Sequence, residues 1–171
     1  MVSELHTGIH MLSQLNTNLE DMIVRLNEHL NESLIVGKFI TLFAARIHPD
    51  ANRIDYVVAG HPPPFLISKD GEAKELESEG MALGITADAR LQQKTQAIKP
   101  GDLLFSFSDG YSEARNPDGA LFEETRLKKI VVESVMSPLR EIRNKLDNAI
   151  IKFTENAPPP DDATLVLMRR I

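Results

Sequence analysis

Cysteine is absent from the 171 residues, and so is tryptophan. Without cysteine there can be no disulfide, no thiolate metal site and no cysteine nucleophile, which fits a reducing compartment such as the cytoplasm. Apolar runs long enough to span a membrane are missing, as is any stretch with the layout of a signal peptide. An excess of positive charge is missing too. The formal net charge is -6, which argues against a general nucleic-acid surface. Repeats and low-complexity tracts are not evident, and Pro158-Pro159-Pro160 is a short stiff connection rather than a linker between domains. What remains is a chain with 42% hydrophobic residues, long enough for one domain with a real core.

The stretch Pro100 to Arg115, PGDLLFSFSDGYSEAR, organises the rest. Pro100-Gly101-Asp102 is turn chemistry. Leu103, Phe105 and Phe107 then alternate with Leu104, Ser106 and Ser108 in the period of a strand. The strand delivers Asp109 to a tight turn at Asp109-Gly110. An Asp-Gly pair after a hydrophobic strand is on its own no more than a turn signal.

Around this strand the chain reads as helices, then strands at hairpin spacing, then helices and a closing strand. Residues 2 to 34 read as helix broken near Asn16. Thr17 and Glu20 have capping-box spacing, and Leu19, Met22, Ile23, Leu26 and Leu30 form a 3.6-residue stripe. The apolar run Phe39 to Ile47 predicts a strand covered on both faces. Pro49 to Asn52 turns it into a returning strand, Ile54 to Ala59. Pro64 to Ser68, Ala73 to Leu76 and Leu91 to Ile98 are further strands, with a surface loop over residues 77 to 89. Phe122 to Val135 reads as helix, and Ser137 with Pro138 predicts the N-cap and first position of another. Thr164 to Met168 closes the chain. This order predicts an α+β fold, a layered β-sandwich flanked by helices, rather than alternating βαβ units.

Three stretches carry candidate chemistry in order: Ala59-Gly60-His61-Pro62-Pro63-Pro64, Ser108-Asp109-Gly110-Tyr111, and Pro160-Asp161-Asp162-Ala163-Thr164. Together with Leu26-Asn27, Phe39 to Phe43, the Gly80 to Gly84 loop, Glu113-Ala114-Arg115 and Leu121-Phe122, this ordered set resembles the metal-dependent protein serine/threonine phosphatases, the phosphatase 2C superfamily. The resemblance is to the bacterial branch typified by stage II sporulation protein E and the sigma-B regulation phosphatases. Ser108 stands where the family usually has Thr, and Val58 where it often has Asn.

The resemblance implies hydrolysis of phosphoserine or phosphothreonine by water activated between two divalent ions, Mn²⁺ or Mg²⁺, with no protein nucleophile. Asp109 and Asp161 would then be metal ligands, Asp162 a further ligand or a neighbour of one, and Gly110 the residue that lets backbone turn close to the ion. Gly60, His61 and Arg115 would lie near the site, His61 as a structural residue or an acid and Arg115 as a phosphate contact or half of a surface ion pair with Glu113. The expected substrate is a phosphorylated anti-sigma-factor antagonist in partner-switching signalling. The family's upstream segment, with its Gly-Asp-x-x-Asp-type and Asp-x-x-Gly-His-Gly-type motifs, has no counterpart in residues 1 to 16. Residues 1–171 are therefore expected to be the C-terminal part of a phosphatase domain, inactive alone and prone to pair as a homodimer through unpaired strand edges. A non-catalytic interaction module derived from the same fold is the competing reading.

Overall fold

The computed structural model describes residues 8–10, 17–35, 37–77, 79–155, 157 and 162–171. The chain divides into two compact units, Met1–His61 with Glu77–Ala97, and Pro62–Leu76 with Ile98–Ile171. Among the described residues, no helix is long and apolar enough to cross a membrane.

The first unit is a helix on a three-stranded sheet. Helix α1 (Leu19–Ser33) buries the predicted stripe of Leu19, Met22, Ile23, Leu26 and Leu30 together with Asn27. Its N-cap is Asn18, not Thr17: the Asn18 side chain accepts from the Asp21 amide at 2.7 Å. Asn caps at least as well as Thr. Glu20, expected to reach back to the cap, instead accepts from the Gln93 amide at 2.7 Å, while Gln93 Oε1 accepts from the Leu19 amide. The predicted break near Asn16 lies outside the described residues.

Strands β1 (Leu42–His48) and β2 (Arg53–Ala59) form the expected antiparallel hairpin, in register from Leu42↔Ala59 to His48↔Arg53. The turn between them is a 3-10 turn over Pro49–Ala51, closed by Asn52 in the left-handed region at φ 48°. Asn tolerates that region better than most residues. Strand β5 (Lys94–Ala97) pairs with the other side of β2, so the order is β1-β2-β5.

The expectation that Phe39 to Ile47 is one strand covered on both faces is corrected. The strand begins at Leu42, Phe39 is 56% exposed, and Ala45 and Ile47 are exposed. β1 is an edge of its sheet. Leu42 and Ala44 pack against the α1 cluster, whereas Ala45 and Ile47 point to the opposite face of the pleat. Full burial belongs to the central β2, where every residue from Ile54 to Ala59 is buried.

A buried acid sits on that central strand. Asp55 accepts from Thr95 Oγ1 at 2.8 Å and from His48 Nε2 at 2.9 Å, with Arg53 at 3.5 Å. Burial pushes its carboxyl up. The Thr95 hydrogen bond, the Arg53 charge and His48 outweigh burial and hold it below its ordinary range.

The second unit carries a four-stranded antiparallel sheet in the order β4-β3-β6-β7, from strands β3 (Phe65–Ile67), β4 (Ala73–Glu75), β6 (Leu103–Phe107) and β7 (Leu165–Arg169). All five residues of β6 are buried. The rings of Phe65, Phe105 and Phe107 pack at 5.1 to 6.3 Å between centroids. Helix α3 (Glu124–Glu133) adds Leu127 and Val131 to this core, and helix α4 (Leu139–Phe153) adds Ile142 and Leu146. The α4 cap also shifts by one residue. Pro138 holds the extended N-cap conformation, its carbonyl accepting from the Glu141 and Ile142 amides, and the Ser137 carbonyl accepts instead from Arg169. Among the described residues, seven strands in two antiparallel sheets with helices make a mixed α+β fold, as the order of elements predicts.

Candidate functional site

The site is built where β6 ends and β7 begins. The two strands are antiparallel neighbours, with Phe107 opposite Leu165. Antiparallel pairing brings the residue after the end of one strand beside the residue before the start of the other. Two stretches more than fifty positions apart in sequence therefore meet. The Ser108 amide donates to the Thr164 carbonyl at 2.9 Å, and the Thr164 amide donates to Ser108 Oγ at 2.9 Å. The Ser108 hydroxyl in turn donates to the Asp162 carbonyl at 3.2 Å.

Asp109 and Gly110 do more than form the expected tight turn. They open a one-turn helix, α2 (Asp109–Ser112), closed at its C-cap by a bond from the Glu113 amide to the Asp109 carbonyl at 2.7 Å. Turn and first helical turn share nearly the same backbone angles. The residues that follow, Ser112 to Arg115, let the chain continue as helix for one turn.

Asp109 is exposed at the first position of this helix, and Gly110 behind it is buried. A Cβ on Gly110 would lie 2.5 Å from the Asp162 carbonyl oxygen and 3.0 Å from Ala163 Cα. Gly110 thus permits the close approach of α2 to the residues leading into β7. Asp162 is exposed beside it. The structure brings together Ser108, Asp109, Gly110 and Asp162; Asp161 lies outside the described residues. Among the described residues, no three His, Asp or Glu side chains gather into a cluster that would hold a metal ion.

Arg115 bonds within its own loop. Its Nη1 donates to the Gly119 carbonyl at 3.2 Å, and its backbone bridges to Leu121. Gly60 and His61 belong to the first unit. Gly60 sits at φ 63°, where a Cβ would lie 2.8 Å from Ala82, and its amide donates to the Gly80 carbonyl. The loop it touches is held by Asn27, whose amide group donates to the Thr86 and Ala87 carbonyls and accepts from the Gly84 amide. His61 is half-buried.

Tyr111, to which the sequence motif assigns no role, and Asp147, which the sequence does not single out, support α2. Tyr111 is buried, and its hydroxyl donates to Asp147 Oδ1 on α4 at 2.9 Å; Arg143 pairs with the other Asp147 oxygen at 3.3 Å. Burial, and after it the Asp147 carboxylate, push the Tyr111 hydroxyl well above its ordinary range, so it stays a donor. A tyrosine at an inward position needs a partner for its hydroxyl, which is the one signal that could have pointed to it. Nothing local marks Asp147 as that partner.

The mixed α+β fold of two antiparallel sheets matches that of solved phosphatase 2C-like domains. Solved structures of that kind superpose on it. The SiaA-PP2C domain of Pseudomonas aeruginosa aligns with a TM-score of 0.84 at 16% identity, covering 98% of this chain and 68% of that one. The structure of the RsbU and RsbW domains of Rv1364c from Mycobacterium tuberculosis aligns at 0.80 with 20% identity, covering 98% and 46%. The family described as stage II sporulation protein E (SpoIIE) matches residues 1–171, and the chain belongs to that family of phosphatase domains. Phosphoserine phosphatase RsbU of Bacillus subtilis (strain 168) is 34% identical over 165 residues, 96% of this chain and 46% of the relative. Protein IcfG of Synechocystis sp. is 28% identical over 135 residues, 79% of this chain and 21% of the relative. The chain spans about half the length of the first of these curated relatives and about a fifth of the second.

Proposed function

We propose that residues 1–171 are the C-terminal part of a metal-dependent protein phosphatase domain, acting in the cytoplasm on phosphoserine or phosphothreonine of a signalling protein. The observation that carries this reading is the packing of Ser108 and Gly110, on either side of Asp109, against the Asp162 backbone at the adjoining ends of β6 and β7. Exposed carboxylates and a backbone carbonyl are hard oxygen donors, the chemistry Mn²⁺ and Mg²⁺ prefer. Asp109, Asp161 and Asp162 would hold the ion, with Gly110 keeping the wall of the site thin. The metal, when bound, supplies a lowered pKa for its water and neutralises phosphoryl charge. Asp109 presents charge from a short, anchored helix, while Gly60 and His61 shape backbone in the other unit. The substrate is read as a phosphorylated anti-sigma-factor antagonist, consistent with the family the chain belongs to.

Three carboxylates oppose the four positive charges of two divalent ions. The remaining ligands would come from an upstream segment, so residues 1–171 alone should bind metal weakly and turn over phosphopeptide very slowly. β1 and β7 are edge strands, and Val166 on β7 is 52% exposed. Such edges pair readily with another chain, and self-association through one of them is part of this reading. The same shortage of carboxylates favours the second reading, a non-catalytic interaction module.

The test combines Mn²⁺ titration, phosphoserine-peptide hydrolysis and light scattering over a range of concentrations. Saturable Mn²⁺ binding that Asp109→Asn abolishes, with little turnover, supports the metal site. Binding that is indifferent to Asp109→Asn refutes it and leaves the interaction module. Fast Mn²⁺-dependent turnover by a monomer would refute the inference that further ligands are needed.

A further inference from the structure

We propose that Tyr111 and Asp147 form a latch that sets the position of Asp109, making Tyr111 a positioning residue for metal binding; this rests on the metal-site reading above. Helix α2 has four residues, far too few to be stable alone. Its orientation must come from tertiary anchors. Asp109 is exposed, Gly110 has no side chain, and Ser112 bonds back to the Asp109 carbonyl. Tyr111 is the one α2 side chain that enters the core, alongside Phe107 and Leu146, and it ends in the 2.9 Å bond to Asp147.

Asp147 is itself braced. It lies on the fifteen-residue α4, and Arg143 one turn earlier holds its second oxygen. The latch thus ties a weak, one-turn element to a long one. A pivot of α2 about the chain axis would move Asp109 and Gly110 together. Gly110 already touches the Asp162 carbonyl with no spare room, so the pivot would alter the spacing between Asp109 and Asp162. The Glu123 amide holds the Ser112 carbonyl at 2.8 Å from the backbone side, and the Tyr111 hydroxyl is the side-chain bond that sets the remaining orientation of α2 and, with it, of Asp109. A phenylalanine would fill the same core volume but release the pivot.

The experiment titrates Mn²⁺ into the full chain, reading the free aquo ion by electron paramagnetic resonance, for wild type, Asp109→Asn, Tyr111→Phe and Asp147→Asn. Urea midpoints are measured in parallel. Tyr111→Phe should weaken Mn²⁺ binding by about tenfold, the low end for residues that orient metal ligands. Its effect on Mn²⁺ should exceed that of an equally destabilising core change, Leu146→Val, which should leave Mn²⁺ affinity within about twofold of wild type. Asp147→Asn keeps an acceptor for the hydroxyl and should recover part of the loss relative to Tyr111→Phe. Loss of binding in Asp109→Asn with unchanged affinity in Tyr111→Phe would overturn the latch alone. No saturable binding by wild type, or binding unaffected by Asp109→Asn, would overturn the metal-site reading and the latch with it. Equal weakening by Leu146→Val would reduce Tyr111 to a core residue.

Discussion

Gly110→Ala is the sharpest probe of the contact between α2 and the start of β7. In a helix the change from Gly to Ala ordinarily stabilises by up to about 1 kcal/mol. Here the added methyl would lie 2.5 Å from the Asp162 carbonyl oxygen, 2.9 Å from its carbon and 3.0 Å from Ala163 Cα. All three neighbours are main chain, or Cα, and cannot swing aside as a side-chain tip can. Ordinary contact begins near 3.4 Å, so one segment must retreat by nearly an ångström. The retreat would stretch the Ser108–Asp162 and Ser108–Thr164 hydrogen bonds, at 3.2 and 2.9 Å. Overpacking of this kind costs about 1–3 kcal/mol, which exceeds the propensity gain of a one-turn helix. The expected outcome is a net loss of about 1–2 kcal/mol, lowering the urea midpoint followed by far-UV circular dichroism by roughly 0.5–1 M. Mn²⁺ affinity should fall as well, because the Asp109–Asp162 spacing opens. A variant with an unchanged or raised midpoint would show that the two segments are not packed as described.

Two further outcomes follow from the first unit. Asp55 has its carboxyl held below the ordinary value of 3.8, so its contribution is full above that pH and is lost as pH falls through the lower folded-state value. Asp55→Asn should therefore lower stability at pH 7 and flatten the acid limb below about pH 4, read from melting temperatures across pH; an unchanged acid limb would reject the Thr95–Asp55–His48 network as its source. His61→Ala, at a half-buried position next to the Gly60 turn, should lower the thermal midpoint while leaving Mn²⁺ affinity within about twofold, and a collapse of Mn²⁺ binding at full stability would make His61 a ligand instead.

What the sequence made legible was mostly periodic. The α1 stripe from Leu19 to Leu30, the β1–β2 hairpin and the buried β6 strand appear where their residue patterns place them, because side-chain periods of 3.6 and 2 report directly on burial. Both helix caps were displaced by one residue. Asn18 competes with Thr17, and Pro138 with Ser137, on local chemistry too close to separate by residue type. β1 was misjudged for a different reason. An apolar run does not say whether its strand is central or an edge, and only the sheet order shows that β2 holds the centre. For the candidate site, the acids were visible as residues after or before strands, but the approach of Ser108 and Gly110 to the Asp162 backbone depends on the Phe107↔Leu165 register, which no local pattern encodes. The Tyr111–Asp147 bond spans 36 positions and was invisible for the same reason.

The geometry around Asp109 bears on the ordinary role of an acid at a helix start. Carboxylates in a first turn are favoured by the helix dipole, and that alone could explain an Asp at this position. The dipole of a single turn is small, however, and falls off within that turn. The residue placed to cap the helix, Ser108, makes no capping bond; its hydroxyl is committed to Asp162 and Thr164. Gly110, on the other side, gives up the side chain that would have strengthened the helix, and the space is filled by the Asp162 backbone. Both neighbours of Asp109 are thus spent on holding the β7 entry rather than on stabilising α2. A sequence selected only for a stable turn would have no reason to do this at both positions. What the arrangement secures is an exposed carboxylate between two residues packed on the Asp162 backbone, the placement that the proposed cation site would require.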